Sequence, residues 1–344
     1  MRRKVNSFDV ARAAGVSQAT VSYVLNGRSD QMIREETRQR VLEAARALGY
    51  RPNLAARTLV TGKTGMVALW VPFSFHSVYS HVMEQIVRLA KETHYRILVA
   101  QIHGETSETL NAGGLLSAVH VDGILAFDTG GLVGQIAGDA QALPAIVSFG
   151  PTYSPRVDHV GIDLYGASLQ AVRHLRDSGC RRIAHATDEF ALSNGDVRVR
   201  AYIEVMAESG LEPEVILMGR GDFEDSYRHL REYFDNAAAQ NAVPDGLFCW
   251  NDEAAIGANR ALADLGLRVP DDVTIIGSDG IRETLYSVPA LSTMSQPFEE
   301  MCALAWDYLM KRLQDPAIPI QQTVLPMRLE QRASTERAAP RSQA

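Results

Sequence analysis

His76, Phe127, Asp128, Arg198, Phe223, Trp250, Asn251 and Asp279 fall just beyond short apolar runs, or at the head of the helix that follows one. Their types share one chemistry. Aromatic faces stack on apolar ring surfaces, while carboxylates, an amide and a guanidinium take hydroxyls in pairs. A small polyhydroxylated or heterocyclic ligand suits such a set. Each residue alone also has a plainer reading: Trp250 as packing, His76 as a surface loop residue, and the neighbouring Asp252 as a helix cap. A second set, Gln18, Ala19, Ser22 and Tyr23, points outward near the start of a short helix. Short polar or aromatic groups in that place reach base edges in a major groove. The plainer reading there is a helical pair with no partner.

The elements that must position these residues are legible from spacing. In residues 8–27, Val10, Ala11 and Ala14 give one short helix an apolar face, Gly15 permits the positive φ that ends it, and Ser17 is a good N-cap for the next. Val21, Val24 and Leu25 turn the second helix inward. A third helix is expected from about Arg34 to Leu48, with Val41, Leu42, Ala45 and Leu48 inward and Gly49 as its stop. The stretch Tyr50–Lys63 is helix-capable but too short to hold alone. It reads as an interdomain linker, or as a segment that orders on DNA and wedges Leu59 into the minor groove. From Gly65 short apolar runs alternate with helical stretches, the first run being Met66–Val71 and the last long one Thr274–Gly277. Continuous apolar strands between helices mean parallel sheets covered on both faces, hence doubly wound lobes with ligands beyond the strands' carboxyl ends.

Charge divides the same way. Residues 1–63 carry 12 Lys and Arg against 5 Asp and Glu, a net +7; the rest carries 22 against 36, a net −14. A basic head on an acidic body is the asymmetry of a DNA-reading segment attached to something else. Cys180, Cys249 and Cys302 are far apart, with no disulfide framework and no metal pair, which fits a reducing cytoplasm. Met-Arg-Arg-Lys is followed by no apolar segment, and no run approaches a membrane span, so a cytoplasmic protein without a membrane partner is expected. Gly62-Lys63-Thr64 imitates the end of a phosphate-binding loop, but Arg57 stands where the first glycine belongs. No nucleophile elbow, zincin helix or metal-spaced His/Cys group is present, so no enzyme, metal or cofactor is expected. The competing readings are a doubly wound enzyme with an incidental basic N-terminus and a sugar carrier.

Residues 8–27, together with Glu35-Glu36-Thr37-Arg38-Gln39-Arg40-Val41 and Leu48-Gly49-Tyr50-Arg51-Pro52-Asn53, resemble the lactose-repressor (LacI/GalR) family of bacterial transcription regulators. The likeness continues in Asp122-Gly123-Ile124, in Asn251 to Ala258, in Gly266 to Val273 and in Gln331-Arg332-Ala333-Ser334-Thr335, and spans essentially the whole chain. It implies an α/β protein with an all-α helix-turn-helix headpiece (1–49), a hinge helix (50–63), a periplasmic-binding-protein-like core of two doubly wound parallel-sheet lobes (64–335) and a disordered tail (336–344). It implies a homodimer on a near-palindromic operator and a small effector, a carbohydrate by type, bound between the lobes. The DNA-contacting set would be Ser17, Gln18, Ala19, Thr20, Ser22, Tyr23, Asn26, Asn53, Arg57 and Leu59. The effector set would be His76, Tyr79, Phe127, Asp128, Arg198, Phe223, Trp250, Asn251 and Asp279. The family's Asn-Pro-Phe-Phe loop reads His76-Ser77-Val78-Tyr79 here, and its Gly-Phe/Tyr-Asp-Asp reads Gly277-Ser278-Asp279-Gly280. Those departures bear on which effector is bound, not on the fold.

Overall fold

A computed structural model describes residues 5–25, 33–50, 58, 62–72, 76–102, 120–129, 132–133 and 145–337. It divides into two compact units, Met1–Thr64 and Gly65–Ala344.

The smaller unit holds α1 (Ser7–Ala14), α2 (Gln18–Leu25) and α3 (Glu35–Ala47). Asn6 and Asp9 form a reciprocal capping box at the head of α1, and Gly15 ends that helix at φ 64°. Ser17 Oγ accepts the Thr20 N–H at 3.1 Å, so it caps α2. Val10, Ala11, Ala14, Val21, Val24, Val41 and Ala45 close the core. Leu25 and Leu42 are only half-buried, and Leu48 does not face inward: it lies past the last turn and is 37% exposed. Gly49, at φ 62°, turns the chain there. The Tyr50 N–H then returns to the Ala45 carbonyl at 2.9 Å, and the Tyr50 ring packs on the core instead.

The described residues of the larger unit form two six-stranded sheets. The first has the order β11-β5-β4-β3-β1-β2, all parallel, from Met66–Pro72 (β1), Arg96–Ile102 (β2), Gly123–Phe127 (β3), Ala145–Gly150 (β4), Asp158–Ile162 (β5) and Gln322–Leu325 (β11). The second has the order β12-β10-β9-β8-β6-β7, from Ile183–Thr187 (β6), Glu214–Leu217 (β7), Gly246–Cys249 (β8), Thr274–Asp279 (β9), Ser292–Ser295 (β10) and Arg328–Glu330 (β12); only the β10–β12 pair is antiparallel. Each sheet with its helices is one lobe. Among the described residues the chain passes between lobes at Asp163, at Gln296–Pro297 and between β11 and β12. These crossings are short, and the Asp163 N–H donates to the Leu325 carbonyl at 2.9 Å, tying two of them together.

The apolar runs became strands as expected because most are buried along their whole length, β3 and β6 at every residue. Four strands were not anticipated, β5 the longest of them. β5 begins Asp158-His159, polar residues that bury only because Arg312 pairs with Asp158 at 2.9 Å and Ser148 meets the His159 ring at 3.1 Å. The short strands β10, β11 and β12 also escaped the apolar-run pattern.

Candidate functional site

On α2 the Gln18, Ala19 and Ser22 side chains are exposed and Tyr23 is half-buried, while Val21 and Val24 hold the opposite face in the core. Gln18 Nε2 donates to Ser7 Oγ at 3.1 Å, bracing the head of α2 against α1. Ser17 and Thr20 bond to each other at the cap, their hydroxyls 2.9 Å apart. The surface offered is therefore small and polar, at the N-terminal end of the second helix of a helix-turn-helix pair. Asn26, Asn53, Arg57 and Leu59 lie outside the described residues.

In the larger unit the strand ends converge on a cleft between the lobes. From the first lobe come His76 and Tyr79, on the opening of the helix Ser77–Glu92, with Phe127 and Asp128 at the end of β3. From the second come Arg198 in the helix Val197–Glu208, Trp250 and Asn251 after β8, and Asp279 closing β9. Phe223 is not brought there. It starts the helix Phe223–Ala239, stands 39% exposed, and is absent from the cleft lining. The reason is local: Asp222 caps that helix, and the Gly221 carbonyl rather than Phe223 meets Asn251.

The side chains form a dense network. The Arg198 guanidinium grips Asp196 through Nε and Nη2 at 2.9 and 2.8 Å, donates through Nη1 to the Trp250 carbonyl at 3.0 Å, and lies 4.2 Å over the Trp250 ring. Asn251 is the N-cap of the helix Asp252–Asp264: Oδ1 accepts the Ala254 N–H at 2.7 Å and Nδ2 donates to the Gly221 carbonyl. Asp252 is thus the first helical residue rather than the cap. Asp128, at φ 51°, accepts the Thr152 hydroxyl at 2.9 Å. Burial pushes its carboxyl up to about 6, against the opposing pull of Thr152 and Arg198. The Tyr79 and Phe127 rings meet edge to face at 5.7 Å.

Asp279 holds a left-handed backbone, φ 134°, and accepts from Gln296 Nε2 at 2.8 Å. Its carboxyl is pushed up to about 8, first by burial and then by the carboxylate of Asp252. Of that pair Asp252 receives three hydrogen bonds, so Asp279 takes the proton. A carboxyl raised on folding favours the folded state while protonated, and that advantage is lost as pH rises through its folded value. Asp279→Asn should therefore leave Tm near pH 4 unchanged but raise it at pH 8; identical Tm profiles for the two proteins from pH 4 to 8 would contradict the assignment.

Across the mouth of the cleft Glu253 reaches from the second lobe to the first. Oε1 accepts the Ser77 N–H at 2.5 Å and Oε2 meets His76 Nδ1 at 2.8 Å. Burial lowers the His76 pKa, but the Glu253 hydrogen bond and the carboxylates of Glu253, Asp279 and Asp222 outweigh it and raise the group above 6.5. The cavity beneath is about 50 Å³, room for water. Sequence reasoning missed Asp196, Glu253 and Gln296. Asp196 had a usable signal, an acidic residue two positions before an arginine at a helix head; Glu253 and Gln296 had none.

The buried residues His185 and Cys249 stay outside this network. His185 Nδ1 meets the Phe248 carbonyl at 3.0 Å, and burial lowers its pKa to about 4, as befits a core histidine. No helix among the described residues is long and apolar enough to cross a membrane.

Comparison with known proteins gives the family and the fold. Residues 8–53 match the family model described as bacterial regulatory proteins, lacI family, and residues 172–335 one described as a periplasmic binding protein-like domain. Catabolite control protein A of Priestia megaterium is 30% identical over 335 residues, 96% of this chain and 99% of that one. The HTH-type transcriptional repressor PurR of Edwardsiella ictaluri is 29% identical over 309 residues, 89% of each. The crystal structure of the lac repressor dimer bound to operator and the anti-inducer ONPF superposes with a TM-score of 0.81 at 22% identity, over 97% of this chain and 99% of that one, a likeness of fold. A complex of the transcriptional regulator CelR with cellobiose gives 0.64 at 27% identity, over 96% and 100%. With a helix-turn-helix in its N-terminal unit, a two-lobed core in the segment that follows in sequence, and relatives matched along nearly their whole length, the chain belongs to the LacI family of bacterial regulatory proteins, transcription regulators that bind DNA and carry a ligand-binding core.

Proposed function

We propose that this protein is a homodimeric repressor whose hold on a near-palindromic operator is set by a carbohydrate bound between the core lobes. The observation that carries the reading is the cleft itself: Arg198 laid over Trp250, with Asp128 and Asp279 entering from opposite lobes. An aromatic face beside paired polar groups fits a sugar ring and its hydroxyls. The cellobiose complex of CelR supports that chemistry. Ligand binding favours one lobe angle, and the lobe angle governs whether the hinge segments of the two copies order on DNA together. A coupling of about 1–3 kcal/mol changes operator affinity roughly 5–150-fold.

Exposed apolar residues support the dimer. Met83 and Val87 stand one helical turn apart on Ser77–Glu92, and Leu98 and Val99 lie on β2, an edge strand. Tyr286 and Val288 are more than four-fifths exposed. An edge strand and helix face of this kind seek cover.

The test is selection of a preferred duplex from random DNA by the purified protein, followed by titration of that duplex with and without candidate sugars. Absence of any sequence preference, at any ionic strength, rejects the reading. The resemblance also assigns Leu59 the minor-groove wedge. Leu59→Ala should weaken the selected duplex by at least about tenfold and leave ligand affinity unchanged; unaltered duplex affinity removes the wedge.

A further inference from the structure

The lobes are joined by short crossings at Asp163, at Gln296–Pro297 and between β11 and β12, and short crossings of this kind act as hinges. Contacts made across the cleft therefore set the resting angle. Three come from one stripe of the helix Ser77–Glu92, where Ser77, His81 and Glu84 recur at i, i+4 and i+7. At its head the Ser77 N–H and His76 Nδ1 meet the two oxygens of Glu253 at 2.5 and 2.8 Å. His81 Nε2 lies 3.7 Å from Glu283, and Glu84 lies 3.3 Å from Arg282. Glu253, Glu283 and Arg282 all belong to the second lobe.

The three contacts are unequal. Glu84 and Arg282 are each more than half exposed, and Glu283 is about half exposed; exposed pairs hold weakly. The Glu253 side chain is 4% exposed and that of His76 16%, and one carboxylate takes a backbone amide and an imidazole together. The weight of the seam falls on Glu253.

The charged groups facing His76 sort by lobe. Glu253, Asp222, Asp279 and Arg198 stand on the second, and Asp128 on the first with His76 itself. The Tyr79 and Trp250 rings lie 6.3 and 6.1 Å away. Arg198 is neutralised by Asp196, and Asp279 keeps its proton through neutral pH. Burial lowers the His76 pKa, and Glu253, by its bond and then by its charge, more than reverses that. Parting the lobes takes Glu253 away from the imidazole. The closed form therefore binds the proton more tightly than the open one, and by reciprocity the proton favours closure. That advantage is complete below the ordinary histidine value and is lost as pH rises through the raised value of the closed form.

We propose that His76 and Glu253 form a proton-operated clasp, so that the core senses pH and holds its lobes together in acid with no effector bound. Its bearing on DNA rests on the repressor reading above, in which lobe angle governs operator affinity.

Two dyes read the lobe angle in the full-length protein, with neither DNA nor effector present. Gln314→Cys and Ala263→Cys place them near the far ends of two helices, one in each lobe, and the native cysteines are buried. Labelled protein diluted into excess unlabelled protein reports within one chain. Between pH 6 and pH 8.5 energy transfer should show one step with its midpoint above 6.5, the ratio of open to closed forms rising at least about threefold. Glu253→Gln should remove the step, and so should His76→Gln, whose amide does not titrate. Glu283→Gln should leave it. A wild type without a step overturns the proposal. So does a step that survives in either Glu253→Gln or His76→Gln, because Asp128 or Asp279 then supplies the titration, and so does a step that Glu283→Gln abolishes, because His81 is then the sensor. Affinity for the selected duplex over the same pH range separates the two readings. A wild-type step removed by Glu253→Gln, with duplex affinity varying alike in both proteins, supports the clasp and removes the link between lobe angle and DNA.

Discussion

Replacing Arg198 with alanine should abolish the response to effector while leaving operator affinity in the effector-free protein intact. The guanidinium organises the second-lobe wall of the cleft, holding Asp196 bidentately, the Trp250 carbonyl by one bond and the Trp250 ring by stacking. Truncation leaves the Asp196 carboxylate, largely buried, with the Trp250 indole N–H at 3.4 Å as its remaining side-chain donor. Breaking a buried pair by removing one partner costs about 3–5 kcal/mol. Asp196 keeps some contact with water, so the lower end of that range applies. Effector affinity should drop by two orders of magnitude or about 3 kcal/mol, since the ligand loses both the fork and the ordered indole. Arg198→Lys should not restore it, because an ammonium cannot reproduce the planar fork or the stack. The headpiece belongs to the other compact unit and keeps its own core, so duplex binding in the absence of effector survives. Fluorescence anisotropy of a labelled operator, titrated with effector, reads both quantities; a normal effector response in Arg198→Ala rejects the assignment.

What the sequence disclosed, and what it withheld, follows one physical line. Local signals were readable. Gly15, Ser17 and the spacing of Val21 and Val24 specify the helix pair through caps and turns a few residues long. Apolar strands such as β3 announce burial on both faces, and the rule that ligands gather beyond strand ends brought attention to Asp128, Trp250 and Asp279. Partners distant in the chain were not readable. β5 opens with a buried Asp158 whose counter-charge, Arg312, comes 154 residues later, so its polarity misled. Glu253 looked like an ordinary first-turn acid, and its bonds to Ser77 and His76 depend on how the lobes meet. Phe223 also follows a strand, but the Asp222 cap turns its helix so that the Gly221 carbonyl meets Asn251 and the Phe223 ring stays outside the cleft lining.

The second large effect concerns Asp252, which touches no proposed ligand. It is wholly buried at the first turn of its helix. Oδ2 accepts the Gly280 and Ile281 N–H groups at 2.7 and 2.9 Å, and Oδ1 accepts the Thr293 hydroxyl at 2.6 Å. A side chain at Gly277 would start 2.2 Å from Asp252 Oδ1, so β9 can run this close only because that residue is glycine. The carboxylate therefore fastens one helix to the end of β9 and to β10, and shapes the turn on which Asp279 is held at φ 134°. Asp252→Ala leaves the buried Ile281 amide and Thr293 hydroxyl without that acceptor, at about 1–3 kcal/mol for each unsatisfied group, while the half-buried Gly280 amide keeps Thr293 Oγ1 at 3.2 Å. The expected loss is about 3–5 kcal/mol, a fall in the Tm of the core of roughly 6–15 °C. Asp252→Asn should lose less, since its carbonyl oxygen can still accept from the turn. The alanine variant also removes a negative neighbour from Asp279, so the Asp279 pKa must fall from its raised value and the pH dependence of effector binding must shift downward with it. Thermal unfolding and an effector titration across pH separate the two consequences, because a residue that only braced the helix would lower Tm and leave the pH profile where it was.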